Sequence, residues 1–90
     1  MNVGVIGFVS LALSGLMQTP VDACFSTARE RTAQPQSATL TKAFVERSGT
    51  AKIELLAANG LGAYIKIYAA CPRDGSLRVT NDRLTWLMQP

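Results

Sequence analysis

The chain has 90 residues and a formal net charge of +3, from nine Lys or Arg and six Asp or Glu. This length allows one domain at most, and the positive charge is too low for a dedicated duplex-binding protein. The chain contains no histidine. The usual general base and the commonest transition-metal ligand are therefore missing. No catalytic set is found among the other residues, so we predict a protein that is not an enzyme, has no small-molecule substrate and needs no cofactor.

The N-terminal segment is the clearest pattern. Val3–Met17 contains only apolar or small residues, and no charged side chain occurs before Asp22. The segment matches the hydrophobic region of a secretory signal peptide. As a helix it would be about 22 Å long, which is short of a hydrocarbon core of roughly 30 Å. Its weak point is the lack of Lys or Arg before the apolar run.

A cleavage site follows the apolar segment. Pro20 ends any helix, and Val21-Asp22-Ala23 places small residues at the −3 and −1 positions before Cys24. We predict a signal peptide over residues 1–23 and a single secreted domain over residues 24–90. Contact with a membrane is then expected only during export.

Three other interpretations of the N-terminus exist. Val3–Phe8 could be a buried strand, since it is β-branched and contains glycine. A dinucleotide-binding start is rejected, because Val9 and Ala12 occupy the second and third glycine positions of that fingerprint. An exported inhibitor stays open as an alternative function, as does a lipoprotein acylated at Cys24, although Asp22 suits the lipoprotein cleavage signal poorly.

Two cysteines are the only ones in the chain. Cys24 and Cys71 are 47 positions apart and form neither a CxxC pair nor a zinc set. In a small exported chain, two cysteines most simply form one disulfide.

The residues after Cys24 are expected to form short strands. Residues 25–37 are polar, with Pro35 as a breaker, and should be irregular or an edge segment in which Cys24 opens a short strand. Ala38–Glu46 favours a strand only slightly, and a short helix closed by Gly49 is the alternative.

A hairpin is predicted in the middle of the chain. Ala51–Ala58 has high helix propensity, but a three-residue loop at Asn59-Gly60-Leu61 would pair it as a strand with Ala63–Ala70. The expected cross-strand pairs are Leu55 with Ile65 and Ile53 with Ile67 on one face, and Glu54 with Lys66 on the other.

A second hairpin is predicted near the C-terminus. Pro72–Ser76 has turn composition, and Leu77–Thr80 and Arg83–Trp86 would pair through a turn at Asn81-Asp82, with Trp86 in the core. The fold class expected from these patterns is all-β. We predict a small antiparallel β-sandwich of about six short strands with one disulfide.

The order of these parts resembles the MAX effectors, small secreted proteins of plant-pathogenic fungi that include ToxB-like toxins and avirulence proteins. The matching parts over residues 24–90 are a first-strand cysteine, the strand start Ser48-Gly49-Thr50-Ala51-Lys52-Ile53, a hairpin ending near Cys71, Leu77-Arg78-Val79-Thr80-Asn81 and Trp86-Leu87. The tight Asn81-Asp82 turn departs from the family, whose fifth and sixth strands tend to lie in different sheets.

The resemblance implies two three-stranded sheets joined by a Cys24–Cys71 disulfide. It also implies a secreted effector that works in the host cell cytoplasm by binding host proteins, in some cases heavy-metal-associated domains. No catalytic residue is shared by the family, so none is carried over.

One surface is a candidate binding site. Tyr64, Lys66 and Tyr68 alternate on one strand face, with Lys52 and Arg78 expected nearby. Exposed aromatic and cationic side chains could anchor a protein partner or stack the bases of a single strand, as in an OB-type module. An ordinary solvated face is the third option. We expect a protein partner and no nucleic-acid binding.

Overall fold

The computed structural model describes residues 19–89. The apolar segment Val3–Met17, predicted to be the hydrophobic region of a signal peptide, lies outside the described residues. The described residues form one antiparallel four-stranded sheet in the order β1-β2-β3-β4. In chain order the elements are α1 (Pro20–Arg29), a 3₁₀ turn (Pro35–Ser37), β1 (Thr39–Val45), β2 (Ala51–Ala58), β3 (Tyr64–Cys71), β4 (Arg78–Thr80) and α2 (Arg83–Met88).

Each face of the sheet carries one helix. On the first face, Cys24 and Ala28 of α1 pack against Ile53, Leu55 and Ala69. On the second face, Trp86 of α2 packs on Tyr68 and Ala70. The mostly β, antiparallel character of the prediction is confirmed. The six-stranded sandwich is not what residues 19–89 form, because two of the expected strand regions are helical.

Helix α1 replaces the predicted short first strand and residues 25–29 of the segment predicted to be irregular, while residues 30–37 contain no α-helix or strand, as predicted. Thr19 accepts a hydrogen bond from the Asp22 N–H at 3.0 Å, and the Asp22 carboxylate accepts one from the Thr19 N–H at 3.4 Å. This reciprocal capping box, with Pro20 in the first helical turn, is a strong helix start. The bond predicted to be cleaved, between Ala23 and Cys24, lies inside this helix.

The central hairpin has the predicted strands but a different register. β2 spans Ala51–Ala58 as predicted, and Leu55 lies opposite Ile67 where Ile65 was expected. The shift is two residues, so every side chain keeps its predicted face. The cause is a longer loop: the Asn59 carboxamide accepts hydrogen bonds from the N–H groups of Leu61, at 2.7 Å, and Ala63, at 3.3 Å.

Helix α2 replaces the predicted last strand. The Asp82 carboxylate accepts hydrogen bonds from the Leu84 N–H at 3.2 Å and from the Thr85 hydroxyl at 2.6 Å. Asp82 is therefore the N-cap of a helix and not a hairpin turn residue. The prediction that Trp86 belongs to the core is confirmed, since its side chain is buried.

The disulfide between Cys24 and Cys71 is present, as predicted. It joins α1 to the last residue of β3, with 5.7 Å between the two Cα atoms. Cys24 also belongs to the apolar core between α1 and the sheet. The bond therefore holds the only long helix of the described residues against the sheet.

We expect the double substitution Cys24→Ala/Cys71→Ala to lower the free energy of unfolding by about 4 kcal/mol, because the lost cross-link closes a long loop in the unfolded chain. Urea unfolding of the oxidised protein and the variant measures this difference. Equal midpoints would show that the cross-link contributes nothing to stability.

Candidate functional site

The five predicted site residues lie on one face of the sheet. Residues directly opposite each other in a ladder share a face. The register therefore places Tyr64, Lys66, Tyr68, Lys52 and Arg78 on the second face, away from α1. The shared face was predicted correctly, but the structure divides it into two halves of different character.

Helix α2 covers one half of the second face. The Trp86 ring lies 4.9 Å from the Tyr68 ring and 5.6 Å from the Phe44 ring, measured between centroids. Its indole N–H donates to the carbonyl of Ala69 at 2.9 Å. Tyr68 is buried beneath this contact, so the expectation that Tyr68 is exposed is wrong. The aromatic cluster fixes the position of α2.

Lys52 is also buried in the covered half, contrary to the prediction of a surface cation. Its ammonium donates to the backbone carbonyls of Gln89, at 2.7 Å, and Leu87, at 3.2 Å. The Glu46 carboxylate lies 3.0 Å from the same nitrogen. The last carbonyls of a helix lack partners within the helix, and a cation there also meets the negative end of the helix dipole. Lys52 is therefore the C-terminal cap of α2.

Glu54 marks the boundary of the covered half. Glu54 is only 5% exposed. The Thr41 hydroxyl lies 2.8 Å from the carboxylate and 3.0 Å from the carbonyl of Glu54. That hydroxyl holds the pKa of the Glu54 carboxyl below its usual range. Burial acts in the opposite direction, whereas the charges of Lys66, Lys42 and Arg83 lower the pKa further.

The other half of the second face is open and basic. Three cations, Lys66, Lys42 and Arg83, act on the Glu54 carboxylate. All three are exposed, as is Tyr64, whose side chain is 63% accessible. We call Tyr64, Lys66, Lys42 and Arg83 the open basic surface.

Sequence reasoning missed two members of the open basic surface. Lys42 lies directly opposite Glu54 on β1, which follows only from the sheet register. Arg83 belongs to α2, which was predicted as a strand. Arg78, which was predicted, is exposed at the β4 edge opposite Ala70 and so belongs to the row that contains Lys52.

A groove of about 390 Å³ lies on the other side of the molecule, beside the disulfide. It is lined mainly by apolar atoms of α1, the β1–β2 turn and the β3–β4 loop, and Arg73 is its only charged residue. A groove with one charged group has no acid–base pair for catalysis.

Among residues 19–89, no three Cys, Asp or Glu side chains lie close enough to hold a metal ion. No helix in that range has the length and apolarity to span a bilayer. Known protein families, curated proteins and solved structures give no match to this chain. The resemblance to MAX effectors therefore stays a prediction.

We expect Lys52→Met to loosen α2 and lower the free energy of unfolding by about 1.5–3 kcal/mol, the range for hydrogen bonds to a charged group. Trp86 is the only tryptophan of the chain. In Lys52→Met the fluorescence of Trp86 should shift to the red, and the exposed indole should be quenched by iodide. Lys66→Met, which removes an exposed charge from the same face, is the control. An unchanged Trp86 spectrum in Lys52→Met would contradict the capping role.

The Glu54 carboxylate should make the fold sensitive to acid. A carboxyl whose pKa is lowered by folding stabilises the fold above its ordinary value of 4.5, and this stabilisation is lost as the pH falls through the lower, folded value. Thr41→Val removes the hydroxyl and should raise the pKa of Glu54. Carboxyl ¹³C titration of Glu54 in both proteins tests this, and equal titration midpoints would rule out the hydrogen bond as the main cause.

Proposed function

We propose that this chain is an exported, non-enzymatic effector that binds the acidic surface of a host protein through its open basic surface. The observation that carries the proposal is Tyr64, a 63% exposed aromatic side chain on the same open half as three exposed cations. Aromatic residues and Arg are enriched in protein interfaces. A ring held on a strand also loses little conformational freedom on binding.

Charge favours an acidic partner. The three exposed cations around Glu54 attract acidic groups and speed their association. The aromatic ring adds apolar contact area beside the charges. Tyr68 and Lys52 have no part in this contact, because both are buried under α2.

Export is the second part of the proposal. The apolar segment before the fold has the length of a signal peptide, and the Cys24–Cys71 disulfide suits an oxidising compartment. The MAX effector family is the proposed relationship, with a host heavy-metal-associated domain as the proposed partner. A second sheet of the kind found in that family would need strands where residues 19–89 have α1 and α2.

The export claim is tested by the intact mass of protein collected from the medium of a secreting host. We expect a mature chain without Val3–Met17, cleaved between Ala23 and Cys24. Cleavage at that bond would leave α1 without Thr19 and Asp22, so circular dichroism of the secreted product should show less helix than that of a chain beginning at Thr19. A secreted chain that still begins at Met1 would refute the signal peptide.

The binding claim is tested with the proposed partner class. A heavy-metal-associated domain with an acidic face is titrated with wild type, Tyr64→Ala and Lys66→Ala by calorimetry. Each substitution should weaken binding by about 1–3 kcal/mol, as expected of interface anchors. Arg31→Ala is the matched control, since it removes an exposed cation from the loop after α1. If Arg31→Ala and Lys66→Ala lower the binding free energy equally, the effect depends only on net charge, which would contradict a specific binding surface.

Single-stranded nucleic acid is the competing ligand, because an exposed tyrosine among cations is also a stacking site for bases. Titration with a short oligonucleotide at two salt concentrations separates the two functions. We expect negligible binding at physiological salt. Tight binding that weakens steeply with salt, with a smaller salt dependence in Lys66→Ala, would overturn the preference for a protein partner.

A further inference from the structure

Strand β1 forms one edge of the sheet, and its outer side has no strand partner among residues 19–89. All seven residues of β1 are exposed, although they include Leu40, Phe44 and Val45. The opposite edge is different, since β4 has only three residues and leads directly into α2. A long edge strand with apolar side chains offers unpaired backbone groups to a further strand.

Only part of this edge is regular. The β1–β2 register shifts between Leu40 and Lys42, so Thr41 is an extra residue in a bulge. At the other end, the Gly49 N–H donates to the Glu46 carbonyl at 2.8 Å and closes the turn. The stretch available for pairing is therefore Lys42–Glu46.

The backbone groups that face outward follow from the ladder. The Glu46 N–H donates to the Thr50 carbonyl at 2.9 Å, so Glu46 and Thr50 form a hydrogen-bonded pair. Such pairs alternate along an antiparallel ladder. The backbone N–H and C=O groups of Phe44 therefore also form hydrogen bonds with β2, whereas those of Ala43 and Val45 point away from the sheet.

We propose that two copies of this chain associate through β1, antiparallel and centred on Phe44. In this register Ala43 of each copy lies opposite Val45 of the other, and the outward groups of both pairs form four backbone hydrogen bonds. Phe44 lies opposite Phe44 of the second copy. Lys42 lies opposite Glu46 of the second copy, and this ion pair occurs twice because the interface is symmetric.

Charge favours this register over the symmetric registers centred on Lys42 and on Ala43. Centring the pair on Lys42 would place two lysines opposite each other, which is unfavourable. Centring it on Ala43 would place Lys42 opposite Phe44 and leave Glu46 without a strand partner. Glu46 is already bonded to Lys52 through one carboxylate oxygen, and its second oxygen can accept from Lys42 of the second copy.

The proposed dimer has a consequence for the open basic surface. The twofold axis runs through the sheet, so the second faces of both copies lie on the same side of one continuous sheet. Lys42 is then engaged in the interface, while Tyr64, Lys66 and Arg83 of each copy stay accessible. Because only Lys42–Glu46 is paired, the interface is smaller than that of a permanent dimer, and we expect an association that is weak and depends on protein concentration.

Sedimentation velocity of the full chain over about 1 µM to 1 mM tests the proposal. Lys42→Glu places two carboxylates opposite each other and should weaken dimerisation at least tenfold. Ala43→Pro removes an outward N–H that β2 does not use, and should have a similar effect. Lys66→Glu makes the same charge change on β3, away from the edge, and should change the dissociation constant less than twofold. Unshifted Trp86 fluorescence shows that each variant is folded.

Amide exchange gives a second readout on the unmodified protein. The Ala43 and Val45 amides should exchange more slowly as the protein concentration rises, while the Phe44 amide should not change. A monomer at every concentration would overturn the proposal. So would a dimer that Lys42→Glu and Ala43→Pro leave intact, or one that Lys66→Glu weakens as much as Lys42→Glu. These outcomes are independent of the partner-binding titrations, because none of them involves a host protein.

Discussion

Two enclosed charges on the central strand determine how the second face of the sheet is used. Lys52 and Glu54 are adjacent on that face of β2, and both are almost inaccessible. A buried charge is tolerated only when it is paired and hydrogen-bonded. Lys52 meets this requirement with the last carbonyls of α2 and with Glu46, which brings the helix over one half of the face. Glu54 meets it with the Thr41 hydroxyl and three surrounding cations, which make the other half basic.

The covered and open halves have different roles as a result. The covered half holds Tyr68 and Trp86 in an aromatic cluster that completes the core of a small domain. The open half presents Tyr64 and Lys66 to solvent. Strand β2 supplies Lys52 to the covered half and Glu54 to the open half, so the two halves are adjacent. A change that releases α2 would therefore expose the aromatic cluster beside the open basic surface. The docking of α2 therefore determines which side chains are accessible beside the open basic surface.

The alternation of apolar and polar residues predicts most of the sheet. The elements that the sequence did not predict are mainly α1 and α2, whose starts are defined by N-terminal caps. Apolar periodicity predicts the strands around Ile53 and Ile67 and the burial of Trp86, and the cysteine count predicts the disulfide. Thr19-Pro20-Val21-Asp22 and Asn81-Asp82 are ambiguous in a sequence, since the first matches a cleavage region and the second a hairpin turn as well as helix starts. The burial of Tyr68 and Lys52 cannot be predicted from a sequence in which α2 is not recognised as a helix, because α2 causes both.

The central claim is that the Lys52 ammonium is held by the α2 carbonyls, and ¹H–¹⁵N NMR of lysine side chains tests it most directly. Ammonium protons that are hydrogen-bonded and shielded from water exchange slowly, whereas those of exposed lysines exchange too fast to observe. We expect a resolved ammonium signal for Lys52 at neutral pH and room temperature, and none for Lys42 or Lys66. If the Lys52 signal is as broadened as those of Lys42 and Lys66, the ammonium is hydrated and α2 is held by Trp86 alone, which would contradict this account.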